Sequence, residues 1–462
     1  MTTDPTTTDS TATDPTCTDP AATDLTATPT AADLSGLRRA VRGRVWLPGD
    51  AGFDEVRLPW NRAVRQPVRA VVEAADADDV AALVRYAAGV GVAITTQPNG
   101  HGASGRTADT ILLRTGRLGD IHLDVDARRA RIGAGVRSGH LQRATAEHGL
   151  TGLLGSSPVV SVTGVALGGG LSWFGRAQGW VADGVCALDV VDADGEQRTV
   201  TAASDPDLFW ALRGGGGEHA VVTALEVRLH PAPEVFGGRV LWSGEHARAV
   251  VEAFRVATRT APVQLTLWLD LLHLPSGEPL VAIDLTYLGA ERDARAHLTA
   301  LDPLPAPLSD TRRSMTVAEL GPITGEPTEP AAGVSHAELL TEFDDAAVDA
   351  LLASPITPMM SVQVRQLGGA FAQPSDTPHG PLLEPFAVYM FGAPGPRATA
   401  GDIAARQQAL ARSLPTSGRK PVTFLNPGEQ LADALPAASV ERLRRIKTER
   451  DPRRLLRSSF GA

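Results

Sequence analysis

Three glycine clusters in one half of the chain constrain this sequence most tightly: Gly100-His101-Gly102-Ala103-Ser104-Gly105, Gly164-Val165-Ala166-Leu167-Gly168-Gly169-Gly170 and Gly214-Gly215-Gly216-Gly217. Glycine loses more conformational freedom on folding than any other residue. Such runs are costly unless something flat or charged must approach the backbone closely. The first cluster matches G-x-G-x-x-G, the fingerprint of a dinucleotide site at a helix N-terminus, and it follows a predicted strand, Val92 to Thr95. What comes next is polar, Arg106 to Asp109, and then a short apolar run, Ile111 to Leu113, that ends at Gly116. No crossover helix fits there, so a pyrophosphate would find no helix N-terminus. Small residues in series can instead turn consecutive backbone N–H groups onto an anion. Taken together, the clusters favour a large bound cofactor.

The 462 residues are too many for one ordinary core, so two domains are expected. No apolar run reaches the roughly 18 to 20 residues of a membrane span. With 43 basic and 53 acidic residues the net charge is −10, which disfavours a nucleic-acid partner. Cys17 and Cys186 alone build neither a disulfide framework nor a Cys-rich zinc site. His140 and His148 flank a predicted helix without a third ligand, so no metal is expected. Neither a G-x-S-x-G elbow nor a P-loop lysine is present. Residues 1–33 repeat a Thr-Asp pair at Asp4, Asp9, Asp14, Asp19 and Asp24 and have little to bury, so a disordered leader is expected. The first basic residue is Arg38, which leaves no signal-peptide start and makes the cytoplasm the expected compartment.

Up to about Pro231, short strands (Ala70 to Val72, Ile121 to Leu123, Ala130 to Ile132) mix with helices at Asp76 to Ala88 and Leu141 to His148. A hairpin is expected about Asp194-Gly195, and Asp205-Pro206 opens a helix through Leu212. From Gly237 to about Pro415 longer alternating strands appear: Gln264 to Leu272, Leu280 to Tyr287 and Met360 to Gln366. With helices at Glu245 to Thr258 and Asp293 to Leu301, this reads as an antiparallel sheet with helices on one face. Period two puts Trp268 and Asp270 on one face of their strand, and Gln363 and Arg365 on one face of theirs. A last helix covers Ser439 to Arg450. The fold class is α+β.

Several of these segments, in this order, resemble a known family: Val92 to Gly105, Ile132 to Gly135, Gly155-Ser156-Ser157-Pro158, Leu167 to Gly170, and above all Pro206-Asp207-Leu208-Phe209-Trp210-Ala211-Leu212-Arg213 with its four glycines. They are similar to the FAD-linked oxidases of the p-cresol methylhydroxylase/vanillyl-alcohol oxidase superfamily, in particular the berberine bridge enzyme-like group. The resemblance covers residues 35–460 and implies a two-part FAD-binding domain, residues 34–235 with a returning segment at 419–462. A substrate-binding domain on an antiparallel sheet, residues 236–418, is inserted between the two parts. It also implies an oxidase of specialised metabolism, in which hydride passes from a small-molecule alcohol or activated C–H or C–N bond to flavin N5 and O2 restores the flavin.

Carried over residue by residue, the resemblance implies that Pro98, Asn99, Gly100, His101, Gly102, Ala103 and Ser104 cradle the pyrophosphate and that His101 bonds covalently to the 8α-methyl group. Ser157, Pro158, Val160, Thr163, Gly164, Gly168, Gly169 and Gly170 would line the ribityl chain and ring, with Val222 near the adenine. Ser157 stands where many relatives carry a second flavin-linking cysteine, so that link is excluded. Glu218-His219-Ala220 replaces the usual Asn-Phe-Gly, and the family's Tyr-x-Asn segment is assigned to Pro421-Val422-Thr423. The general base is therefore sought on the sheet, where Tyr287 or Tyr389 could face the flavin; Tyr389, Asp270 and Arg365 are the catalytic candidates. The departures leave two alternatives open: a cyclase or isomerase on a flavin scaffold, and a noncatalytic binding protein.

Overall fold

The structure, a computed structural model, describes residues 33–274 and 277–461, so the leader expected at 1–33 lies outside the described residues except for Asp33. The first sheet is built on parallel strands. Ala70–Glu73, Thr110–Arg114, Ala93–Thr96 and Leu456–Arg457 lie side by side in that order, with Arg44–Trp46 antiparallel at one edge. The first three are almost wholly buried, which is why they read as unbroken apolar runs rather than alternations. The helix Ala77–Val90 packs its Val80, Leu83, Val84 and Ala87 on this sheet. Asp76 caps its start by accepting from the Asp79 N–H, and Gly91 ends it at φ 68°. Ala93–Thr96 reaches its parallel neighbour Thr110–Arg114 through residues 97–109, with no helix between. A glycine loop thus makes the crossover that a dinucleotide fold makes with a helix.

A second sheet is antiparallel, in the order Ile121–Asp124, Arg129–Gly133, Val221–Arg228, Val185–Val191, Gln197–Val200. Val185–Val191 and Gln197–Val200 form the expected hairpin, and Asp205 caps the helix Pro206–Leu212.

The third sheet is the largest. Its eight antiparallel strands include, as neighbours, Val235–Ser243, Leu280–Leu288, Leu265–Leu272, Ser361–Gln366, Phe386–Gly392 and Val334–Leu340. One face carries Leu267, Leu269, Ile283, Leu285, Val362, Val364, Val388 and Met390, packed against Phe254 of the helix Ala247–Thr260, Val348 of Asp345–Leu352 and Leu410 of Ala400–Ser413. Each such side chain withdrawn from water contributes about 1.5–3 kcal/mol. The alternation leaves Arg239, Trp268, Asp270, Asp284, Gln363, Arg365 and Tyr389 for the opposite face. The fold is mixed α and β with a large antiparallel sheet, helices covering one side of it.

The C-terminal segment is fastened by the chain's two lysines. Lys447 Nζ, on the helix Ala437–Arg450, donates to Glu218 O (2.5 Å), Leu456 O (2.6 Å) and Asp451 Oδ2 (2.7 Å). Lys420 Nζ donates to Glu429 Oε1 (2.6 Å) and Glu338 Oε1 (3.2 Å), tying the segment to Val334–Leu340. An ammonium's three donors suit such converging acceptors better than a planar guanidinium does.

Candidate active site

A cavity of about 560 Å³ lies between the glycine loops and the helix-free face of the large sheet. On the loop side the wall is mostly backbone. Gly100 sits at φ 77°, where a Cβ would lie 2.8 Å from Pro59 Cβ, so only glycine lets the loop fold over the 59–60 segment. Trp60 N–H donates to Asn99 O (2.9 Å) and Asn99 Nδ2 to Val159 O (2.7 Å), fixing the loop on both sides. The His101 ring stacks on Trp60, centroids 4.0 Å apart and planes 18° off parallel. Burial, with a smaller push from Arg137, lowers its pKa to about 4, so the imidazole is neutral at pH 7. Five polar atoms on this wall are buried without a partner: His101 Nε2, Trp60 Nε1, Gln97 Oε1, Thr115 Oγ1 and Thr163 Oγ1. Buried polar groups in native proteins are rarely left so.

The sheet side is built from side chains joined in a ladder. Asp284 receives Arg239 Nε (2.6 Å) and Nη2 (2.7 Å), and Arg239 Nη2 also reaches Asp270 Oδ2 (3.1 Å). Asp270 further accepts from Ser361 Oγ (2.6 Å) and Gln363 Nε2 (3.4 Å). Gln363 Oε1 in turn accepts from Arg365 Nε (2.9 Å) and Nη2 (2.6 Å). Arg365 lies over Trp268 (4.0 Å to the ring centroid), Tyr389 (5.0 Å) and Phe424 (5.3 Å). Trp268 is itself stacked on Trp173 at 3.8 Å, which couples this face to the 173–178 segment. One arginine faces two wholly buried carboxylates. Burial raises Asp270 and pushes Asp284 up to about 7, against the pull of Arg239 on both. Near Tyr389, Ser335 Oγ donates to Asn426 Oδ1 (2.7 Å); burial raises the Tyr389 phenol, against Arg365 and Ser335.

Of the sequence-predicted residues, Pro98, Asn99, Gly100, His101, Gly102, Ala103, Ser157, Val160, Thr163, Gly164, Gly168 and Val222 line the cavity, as do Asp270, Arg365 and Tyr389. Four do not. Ser104 is turned onto Ser459 O, to which its hydroxyl donates at 2.6 Å. Pro158 packs against Gly139 and Gly321, Gly169 against the His379 ring, and Gly170 against Val165 and Val181. Tyr287 belongs to the helix-side core, away from the cavity. Glu218 and His219 are not on the cavity wall either: the Glu218 carbonyl accepts from Lys447, and His219 Nε2 lies 3.2 Å from Leu443 O. Val422 and Thr423, in the segment assigned to Tyr-x-Asn, line the cavity. An aromatic residue and an Asn at that spacing are Phe424 and Asn426, and both line the cavity. Sequence reasoning missed Arg239, Asp284, Glu326 and Ser335. The first two carried a signal, single charges inside otherwise apolar strands; Glu326, in a Pro-rich loop, carried none.

The family model described as FAD binding domain matches residues 68–201. The chain carries a p-cresol methylhydroxylase-type FAD-binding domain. The chain is 34% identical over 207 residues to (R)-6-hydroxynicotine oxidase of Paenarthrobacter nicotinovorans, covering 44% of this chain and 45% of that enzyme. It is 30% identical over 231 residues to the FAD-linked oxidoreductase pynB of Aspergillus niger, covering 49% and 42%. The matched segments thus span less than half of either curated relative. Among solved structures, 6-hydroxy-D-nicotine oxidase from Arthrobacter nicotinovorans superposes with a TM-score of 0.81 at 26% identity, over 90% of this chain and 97% of that one. Berberine bridge enzyme from Eschscholzia californica, at 18% identity, shares the fold with a TM-score of 0.79 over 92% and 97%. The loop wall fits the cofactor of such a domain. Gly102 lines the cavity, a Cβ added there would meet no protein atom within 4 Å, and the five residues that carry the orphaned polar atoms line the same cavity.

Proposed function

We propose that the chain is an FAD-dependent oxidase that takes two electrons from an alcohol or an activated C–H or C–N bond of a small molecule and delivers them to O2 as hydrogen peroxide. The observation that carries this reading is the two-sided cavity, with partnerless loop groups on one wall and an ordered polar ladder on the other. Bound FAD would supply the electron acceptor, since side chains alone offer none. His101 would tether it: a neutral imidazole, its ring held by Trp60, keeps the lone pair a nucleophile needs. Tyr389, on the cavity wall, is the group we assign to take the substrate proton. The Arg365 charge over the ring pulls toward the phenolate that this role requires, against the larger effect of burial, which raises the phenol. Asp270 holds Gln363, and through it Arg365, as a positioning residue.

Acid precipitation of the purified protein tests the tether: a yellow pellet is expected, and His101→Ala should move all colour to the supernatant. A candidate substrate should bleach the flavin under nitrogen. Product formed while the flavin stays oxidised would sink the oxidase reading.

A further inference from the structure

Three arginines are buried to 6% exposure or less, and two of them have every arm occupied. Arg176 donates from Nε to Leu265 O, from Nη1 to Leu367 O and from Nη2 to Ala261 O and Pro262 O. Arg213 donates from Nε to Ala182 O and places both terminal nitrogens on Asp376. Arg365 differs. Nε and Nη2 share Gln363 Oε1, and among the described residues Nη1 has no acceptor and no carboxylate stands at ion-pair distance. Burial lowers its pKa, while Glu326, Asp270 and Asp284 act on it only from farther away. Asp270 is already engaged by Arg239, Ser361 and Gln363. Trp268, Tyr389 and Phe424 surround the guanidinium, which leaves its edge as the way to reach it from the cavity. An uncompensated buried cation is costly, and a guanidinium edge matches an oxygen anion in its plane.

We propose that Arg365 anchors the substrate and that the substrate class is anionic, a small molecule presenting a carboxylate or ionised hydroxyl to Nη1. Calling that ligand the substrate rests on the oxidase reading above; the anion site itself does not. The ligand's oxygen supplies the counter-charge that the protein withholds.

The test is calorimetric titration of the full-length protein as purified, without turnover. Benzoate, phenylacetate and 3-phenylpropionate are each compared with their primary amides. At least one acid should bind roughly 10- to 100-fold more tightly than its amide, the range of a charge-assisted hydrogen bond. Arg365→Met should erase that preference while changing amide affinity by no more than about threefold, and Arg365→Lys should retain part of it. Equal affinity for acid and amide throughout, or no binding by any acid, overturns the proposal. So does an Arg365→Met protein that keeps the preference and shows only a shifted flavin potential, since Arg365 would then serve the cofactor. If a variant fails to fold, the acid–amide comparison in the native protein still decides. A colourless protein that prefers the acids would count against the oxidase reading while supporting the anion site.

Discussion

On the loop side of the cavity the wall is glycine backbone and neutral side chains, and five polar atoms there have no protein partner. On the sheet side Asp270, Gln363, Ser361 and Ser335 are already bonded to one another, to Arg239 or to Asn426. A wall with orphaned donors and acceptors is shaped for one fixed guest that completes it. A wall whose members hold one another, with only Arg365 Nη1 left open, keeps its geometry with or without a guest, as suits a surface meeting substrates that come and go. The contrast assigns cofactor retention to one set of residues and chemistry and stability to another, so variants on the two walls should fail differently.

The sharpest break comes from Gly102→Val, which projects into open space without touching protein. Purified protein should lose nearly all flavin absorbance yet melt as a folded domain; normal flavin content would show that the loop wall is not the cofactor wall. Tyr389→Phe should do the reverse, keeping the flavin and slowing its reduction by substrate roughly 10²- to 10⁴-fold, the usual contribution of a positioned base. A stopped-flow rate close to native would remove Tyr389 from the chemistry. Arg239→Met strands two buried carboxylates and should destabilise the fold by about 3–5 kcal/mol, read from denaturant midpoints. A loss under about 1 kcal/mol would mean the ladder is not a stability element. The smallest effect is a slope. The Asp284 carboxyl is raised from 3.8 to about 7, so the folded state binds its proton more tightly than the unfolded chain. Its contribution is therefore present in full below the lower value and lost as pH rises through the upper one. Asp284→Asn should flatten the melting temperature across that window relative to native protein, and an unchanged slope would show that Asp284 does not hold the proton.

The same contrast explains what could be read in the sequence. The loop wall is local, so glycines at 100, 102, 164 and 168 announce it within short segments, and the strands Ala70–Glu73 and Leu265–Leu272 follow from runs and alternation. The sheet wall draws on residues 239, 270, 284, 335, 363, 365, 389 and 426, brought together only by strand order. Period two put Asp270, and separately Gln363 with Arg365, on one face, but it could not say that Gln363 bridges the two. Nor could it tell that Tyr287, on an equally plausible strand, packs under the helices while Tyr389 faces the cavity. Ser104, Gly169 and Gly170 do not line the cavity, for a related reason. A glycine's tolerance for close approach does not say whether a ligand or another part of the protein approaches, and at Gly169 the neighbour is His379.

The chain has 43 basic residues, and the only two that are lysines, Lys420 and Lys447, are 5% and 11% exposed and bound into the C-terminal segment. The outer surface is therefore rich in guanidinium groups while offering almost no ε-amine to acylating reagents or aldehyde fixatives. Acetylation of either position would report that the segment had peeled away, which makes amine labelling followed by mass spectrometry a direct gauge of how often the end of the chain lets go.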